Sequence, residues 1–204
     1  MQHIYREGTS DTAPVLLMLH GTGGTEHDLL PLAQLVSPES AVLSVRGNVL
    51  ENGMSRFFRR LAEGVFDEED LVLRTRELND FLNSAASQYG FARDNIVAVG
   101  YSNGANIAAS LLFHYSGALR GAILHHPMVP LRGLVLPDLT GISCFIGAGE
   151  NDPICSPEES GELEKLLTGA GAAVRMHWER AGHSLTATEA NAAAVWFKES
   201  FSNK

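Results

Sequence analysis

The chain has 204 residues, enough to bury one sizeable core, and at 45% hydrophobic and 19% charged its composition is ordinary for a globular protein. A formal charge of −9 with no basic run argues against nucleic acid and anionic membrane as main partners, since both are bound through clustered positive charge. The start, MQHIYREGTSDTAP, lacks the charged and apolar regions of a secretory signal, no apolar run reaches the ~18 residues of a membrane span, and two cysteines are too few for a disulfide scaffold; the reading is one cytoplasmic domain over 1–204, with Cys144 and Cys155 reduced.

Taken in chain order, a first short strand fits HIYREG, and VLLMLH (15–20) and AVLSVRG (41–47) follow as nearly continuous apolar runs of the kind buried on both faces of a sheet. In the segment after them, Arg46, Asn48, Met54, Arg56, Phe57 and Phe58 are candidates for a pocket wall; the competing reading is a surface loop anchored by its two phenylalanines. The acidic FDEED (66–70) reads as a solvated turn or helix start, and the helix at 68–90 places Leu71, Leu78 and Leu82 near one face and stops at Gly90. A strand at NIVAVGYS (95–102), a small-residue helix to 117 and a strand at GAILHHP (121–127) come next. SCFIGAGEND (143–152), a helix opened by Ser156 and Pro157, and AVRMHWER (173–180) continue the alternation. A last helix over 185–201 starts with Thr186-Ala-Thr-Glu189, the pattern of a capping box. Strands alternating with helices predict an α/β domain: a mostly parallel twisted sheet covered on both faces, with ligands at the carboxyl ends of its strands.

Those ends carry the chemistry. Gly100-Tyr101-Ser102-Asn103-Gly104 matches G-x-S-x-G between a buried strand and a helix, the setting of a nucleophile on a tight corner. A serine hydroxyl needs a base to take its proton and an acid to hold that base in one tautomer. Asp152, before Pro153, and His183, after Gly182, complete the order serine, acid, histidine. Glu150 lies closer to its strand than Asp152, and Asp138 precedes its strand, at the wrong edge. His125 and His126 come before the acid and break the order. His126 is expected to line the pocket, so that replacing it alters substrate preference, and His125 to be packed or hydrogen-bonded; the competing reading is a purely structural pair. The glycine-rich His20-Gly21-Thr22-Gly23-Gly24 offers the Thr22 N–H as one oxyanion donor and Asn103 supplies the other, with His20 bracing the loop. A phosphate loop is excluded because its lysine and its G-x-G-x-x-G are both missing.

On these residues, with Asp28-Leu29 and Gly149 added, the chain resembles the phospholipase/carboxylesterase family of α/β-hydrolases, which contains the acyl-protein thioesterases. The resemblance runs from about residue 14 to 198 and is nearest to small bacterial carboxylesterases, through RGNVLENGMSRFFRRLAEGVFDEEDL (46–71) and LHHPMVP (124–130). It implies a lidless serine esterase, often a homodimer, acting on short acyl or aryl esters with no cofactor or metal, through Ser102, His183 and Asp152. The segment 46–71 departs from that of acyl-protein thioesterases, which argues against protein depalmitoylation. The alternatives keep the fold and change the bond (thioesterase, lactonase, amidase), or lose catalysis in a ligand-binding homologue. A dienelactone-type enzyme is expected to carry cysteine at the elbow, so Ser102 argues against that reaction.

Overall fold

A computed structural model describes residues 1–201. β1 (His3–Arg6) and β2 (Val15–Leu19) are followed by a short helix, α1 (Leu30–Val36), and by β3 (Val42–Val45). Two small hairpins come next, β4 (Val49–Glu51) with β5 (Met54–Arg56) and β6 (Arg60–Ala62) with β7 (Val65–Phe66). Then the alternation is regular: α2 (Glu68–Tyr89), β8 (Ile96–Tyr101), α3 (Asn103–His114), β9 (Gly121–His125), β10 (Ser143–Gly149), α4 (Pro157–Gly169), β11 (Ala173–Glu179) and α5 (Ala187–Phe201).

Seven strands form the main sheet in the order β1-β3-β2-β8-β9-β10-β11, with β1 antiparallel to β3 and every other pair parallel. β2 is apolar and buried at every position because both of its faces are covered. On one face, Leu17, Leu19, Ala98 and Ile146 pack with Leu71, Leu78 and Leu82 of α2, Ile107 and Leu111 of α3, and Leu163 and Leu167 of α4. On the other, Leu16, Met18, Val97, Val99 and Phe145 meet Leu32 and Val36 of α1 and Ala193, Trp196 and Phe197 of α5. From β2 the chain steps outward to β3, then returns past β2 to β8 and builds the rest of the sheet the other way. The carboxyl ends of β2 and β8 therefore diverge, and a crevice opens between them.

The capping chemistry is partly that of the sequence reading. Asp67 accepts the Asp70 N–H at 3.1 Å and starts α2, so FDEED is a helix start, while Gly90 ends the helix with φ 72°. Ser156 caps α4 through backbone shape alone, without a side-chain hydrogen bond. Two features escaped the periodicity argument. α1 is too short for an apolar repeat, and the hairpins at 49–66 expose much of their surface. The first hairpin did have a signal, Asn52-Gly53, whose φ values of 51° and 79° are those of a tight two-residue turn. No helix among the described residues is long and apolar enough to cross a membrane.

Candidate active site

β8 delivers Ser102 to the crevice on a strained corner. Its φ of 51° and ψ of −112° lie where a non-glycine residue costs about 1–3 kcal/mol, so the surroundings must hold it there. They do so by two bonds: the Ser102 N–H donates to His125 O at 2.9 Å, and Ser102 O accepts the Asn106 N–H at 2.9 Å, which starts α3. The flanking glycines are steric necessities. A Cβ at Gly100 would lie 2.6 Å from backbone atoms of Gly104 and Ala105, and one at Gly104 would overlap Leu19 O on the neighbouring strand.

The Ser102 hydroxyl lies 2.8 Å from His183 Nε2, and His183 Nδ1 lies 2.8 Å from Asp152 Oδ2. With Nδ1–H donating to the carboxylate, Nε2 keeps its lone pair for the serine proton. Tyr101 fixes the loop that carries this imidazole by donating its hydroxyl to His183 O at 2.8 Å. Asp152 is buried in the turn after β10, and its Oδ1 accepts the N–H groups of Ile154 at 2.8 Å and Cys155 at 2.9 Å. Burial pushes its pKa up, but those N–H groups, with His183 and His126, outweigh burial and hold the carboxyl below its ordinary value. Glu150 is half exposed in its side chain and is ion-paired with Arg180, away from this line.

A cavity of about 200 Å³ opens beside the serine, and Thr22, Arg56, Asn103, Met128, Cys155 and His183 are among its walls. Asn103 is the first residue of α3, so its N–H has no acceptor within the helix. Thr22 is held by the buried Arg56, whose Nη1 donates to Thr22 Oγ1 at 2.6 Å while Nε donates to Phe58 O at 3.1 Å. Glu51 balances the guanidinium at 3.1 Å. His20 braces the same loop, with Nδ1–H donating to Gly21 O at 2.6 Å and Nε2 accepting the Gly47 N–H at 3.0 Å.

Of the six residues between 46 and 58 expected on the pocket wall, only Arg56 lines the cavity. Phe57 is 1% exposed and belongs to the core, although its N–H donates to Asn103 Oδ1 at 2.7 Å and so steadies the residue after the serine. Met54, 37% exposed, lies over Gly23 at the outer rim. His126 is the largest departure. It is fully buried and sits behind Asp152, with Nδ1 at 2.9 Å from Asp152 Oδ2 and Nε2 at 3.1 Å from Glu189 Oε2. The other Glu189 oxygen meets His125 Nδ1 at 2.5 Å, so His125 is hydrogen-bonded as expected.

Glu189 is the residue that sequence reasoning missed. Half of the expected capping box forms, since Thr186 Oγ1 accepts the Glu189 N–H at 3.1 Å. The carboxylate does not reach back to the cap but points inward to the two histidines. Burial opposes its ionisation, yet His125 and His126 more than compensate and bring its pKa down to about 2. Among the described residues, one set of three close metal-ligand types exists: His126, Asp152 and His183, with donor atoms within 4.8 Å of one another. Both imidazoles are already hydrogen-bonded to the shared carboxylate oxygen, so that oxygen's lone pairs are spent within the group.

Comparison with known proteins places this geometry. The model of the dienelactone hydrolase family matches residues 53–201, most of the chain. The chain belongs to the dienelactone hydrolase family. Within it and around it, the Bacillus subtilis (strain 168) protein MhqD is 61% identical over 199 residues, covering 98% of both chains. The crystal structure of the Bacillus cereus carboxylesterase superposes with a TM-score of 0.98 at 65% identity, covering 98% of this chain and 95% of that one. An acyl-protein thioesterase 1 of Cryptococcus neoformans is 26% identical over 160 residues, covering 68% of this chain and 66% of its own. The chain is a hydrolase with the α/β-hydrolase fold expected from its motifs, and its family carries the dienelactone hydrolase name.

Proposed function

We propose that this protein is a serine carboxylesterase for short acyl or aryl esters, working through Ser102, His183 and Asp152. The observation that carries the reading is the unbroken line from the Ser102 hydroxyl through His183 to Asp152, with both links at 2.8 Å. Ser102 attacks the ester carbonyl while His183 Nε2 takes its proton; the tetrahedral oxyanion is held by the Thr22 and Asn103 N–H groups. His183 then protonates the leaving alcohol, and water attacks the acyl-enzyme by the same path in reverse. Asp152 keeps the Nδ1–H tautomer and balances the imidazolium that forms twice in each cycle.

The cavity volume supports small substrates. About 200 Å³ beside the serine accommodates a short acyl or aryl group. The 65% identical carboxylesterase supports the ester bond. A thioester is the second reading, favoured by the 26% identical thioesterase. Ser102 in place of cysteine speaks against a dienelactone as the natural substrate, despite the family name. The test is labelling and turnover. A fluorophosphonate should modify Ser102 one to one, and Ser102→Ala should lose hydrolysis of p-nitrophenyl acetate; a folded Ser102→Ala protein with full activity would end the proposal.

A further inference from the structure

We propose that His126 carries a proton on both ring nitrogens throughout the neutral range, and that this buried imidazolium, with Glu189 as its counter-ion, positions Asp152 and tempers its pull on His183. The inference rests on the serine esterase reading above for its kinetic consequence, and on geometry alone for the charge.

Each nitrogen of the His126 ring faces a carboxylate oxygen, Asp152 Oδ2 at 2.9 Å and Glu189 Oε2 at 3.1 Å. A neutral imidazole has one N–H and one lone pair, so one of those contacts would set a lone pair against a carboxylate in a dry interior. With both nitrogens protonated, each contact becomes a charge-assisted hydrogen bond. The fold is shaped for the second carboxylate. Gly147 of β10 leaves the space that Glu189 Oε1 occupies, and any Cβ there would overlap it. The His126 backbone is held in the left-handed region, φ 52°, by its N–H to Gly147 O at 2.7 Å and by the Cys155 thiol to its carbonyl at 3.2 Å. Side-chain and backbone contacts alike keep this ring between the two acids.

The groups around His126 come from four directions. Asp152 lies on the turn after β10 and Glu189 on α5; His183 approaches edge to face at 5.3 Å between ring centres, and Tyr101 of β8 at 6.0 Å. Cys155 adds an uncharged thiol, and His125 reaches the group only through Glu189. Two carboxylates outweigh burial and raise the His126 pKa, in keeping with the geometry. The charge count then has a catalytic meaning. Asp152, Glu189 and His126 together carry one net negative charge, which the protonated His183 neutralises during each half-reaction. Without the His126 charge, two negative charges would face His183 and hold its proton more tightly.

The test uses the full chain with 15N-labelled histidine. Two-bond 1H–15N correlations should show both His126 nitrogens protonated throughout the neutral range, past the ordinary histidine pKa. Glu189→Gln should give His126 a neutral form within that range. It removes one negative charge together with the positive one, so the net charge facing His183 stays at one negative and the acidic limb of kcat/KM for p-nitrophenyl acetate should stay close to that of the wild type. An unprotonated His126 nitrogen in the wild-type protein near neutral pH overturns the proposal, as does a Glu189→Gln protein in which both His126 nitrogens stay protonated over the same range. The nitrogen spectra need no variant, so a Glu189→Gln protein that does not fold leaves them decisive. If Ser102→Ala stays active, the esterase reading fails while the spectra still decide the charge on His126.

Discussion

Asp152 Oδ2 meets two histidines at nearly equal distances, and their surroundings are opposite. His183 stands at the cavity wall with 14% of its side chain exposed, while His126 is sealed at 0%. His183 has a serine hydroxyl on its far nitrogen, and His126 has a second carboxylate. One partner is a group that can give up a proton and the other is a fixed negative charge. Residue type and acceptor are shared, so exposure and the far-side neighbour separate the two imidazoles.

The sharpest break in this comparison is on the serine side. Ser102→Ala and His183→Ala should each cut p-nitrophenyl acetate turnover by about 10⁴-fold or more, with folding unchanged by circular dichroism. Asp152→Asn touches both histidines and should lower kcat by about 10³–10⁴-fold, because an amide no longer holds the His183 tautomer. His126→Ala should act first on stability. It leaves two buried carboxylates without their cation, a loss of about 3–5 kcal/mol in urea unfolding. A change confined to substrate preference in that variant would return His126 to the pocket wall. Gly147→Ala crowds Glu189 from the rigid side and should cost about 1–3 kcal/mol in the same assay.

The smallest effect is a pH slope. Glu189 ionises more readily in the folded chain, with a pKa near 2 against 4.5 unfolded, and Asp152 is shifted the same way. Their contribution to stability is therefore full above about pH 4.5 and fades as the pH falls toward about 2. His126 is shifted upward, so its contribution is full below 6.5 and fades as the pH rises through its folded pKa. Urea midpoints for Glu189→Gln between about pH 2 and about pH 5 should show a flatter acid slope than wild type; equal slopes would mean that Glu189 is not ionised in the buried network.

The legible parts of the site were those whose chemistry leaves a local trace. The strand-corner-helix around Ser102 has to read G-x-S-x-G because Gly104 passes against Leu19 O, and Asp152 and His183 stand where strands end. His126 was legible as unusual but not as buried, since HHP follows a strand whose two faces look alike in sequence. Glu189 was hidden behind a simpler explanation, because Thr186-Ala-Thr-Glu189 is complete as a local cap pattern. Phe57 shows the same limit in the hairpin segment: its ring fills the core while its N–H, which no side-chain pattern reports, steadies Asn103.

By itself the amino-acid sequence determined the alternation of strands and helices, the corner at Ser102 and the order in which serine, acid and histidine follow along the chain, since each rests on neighbours a few residues apart. Only the tertiary structure decided which histidine faces the cavity, where the crevice opens between β2 and β8, and that Glu189 turns inward onto His125 and His126. Those outcomes depend on segments 26 residues or more apart meeting behind the sheet end, and on a glycine in one strand leaving room for a carboxylate from a helix.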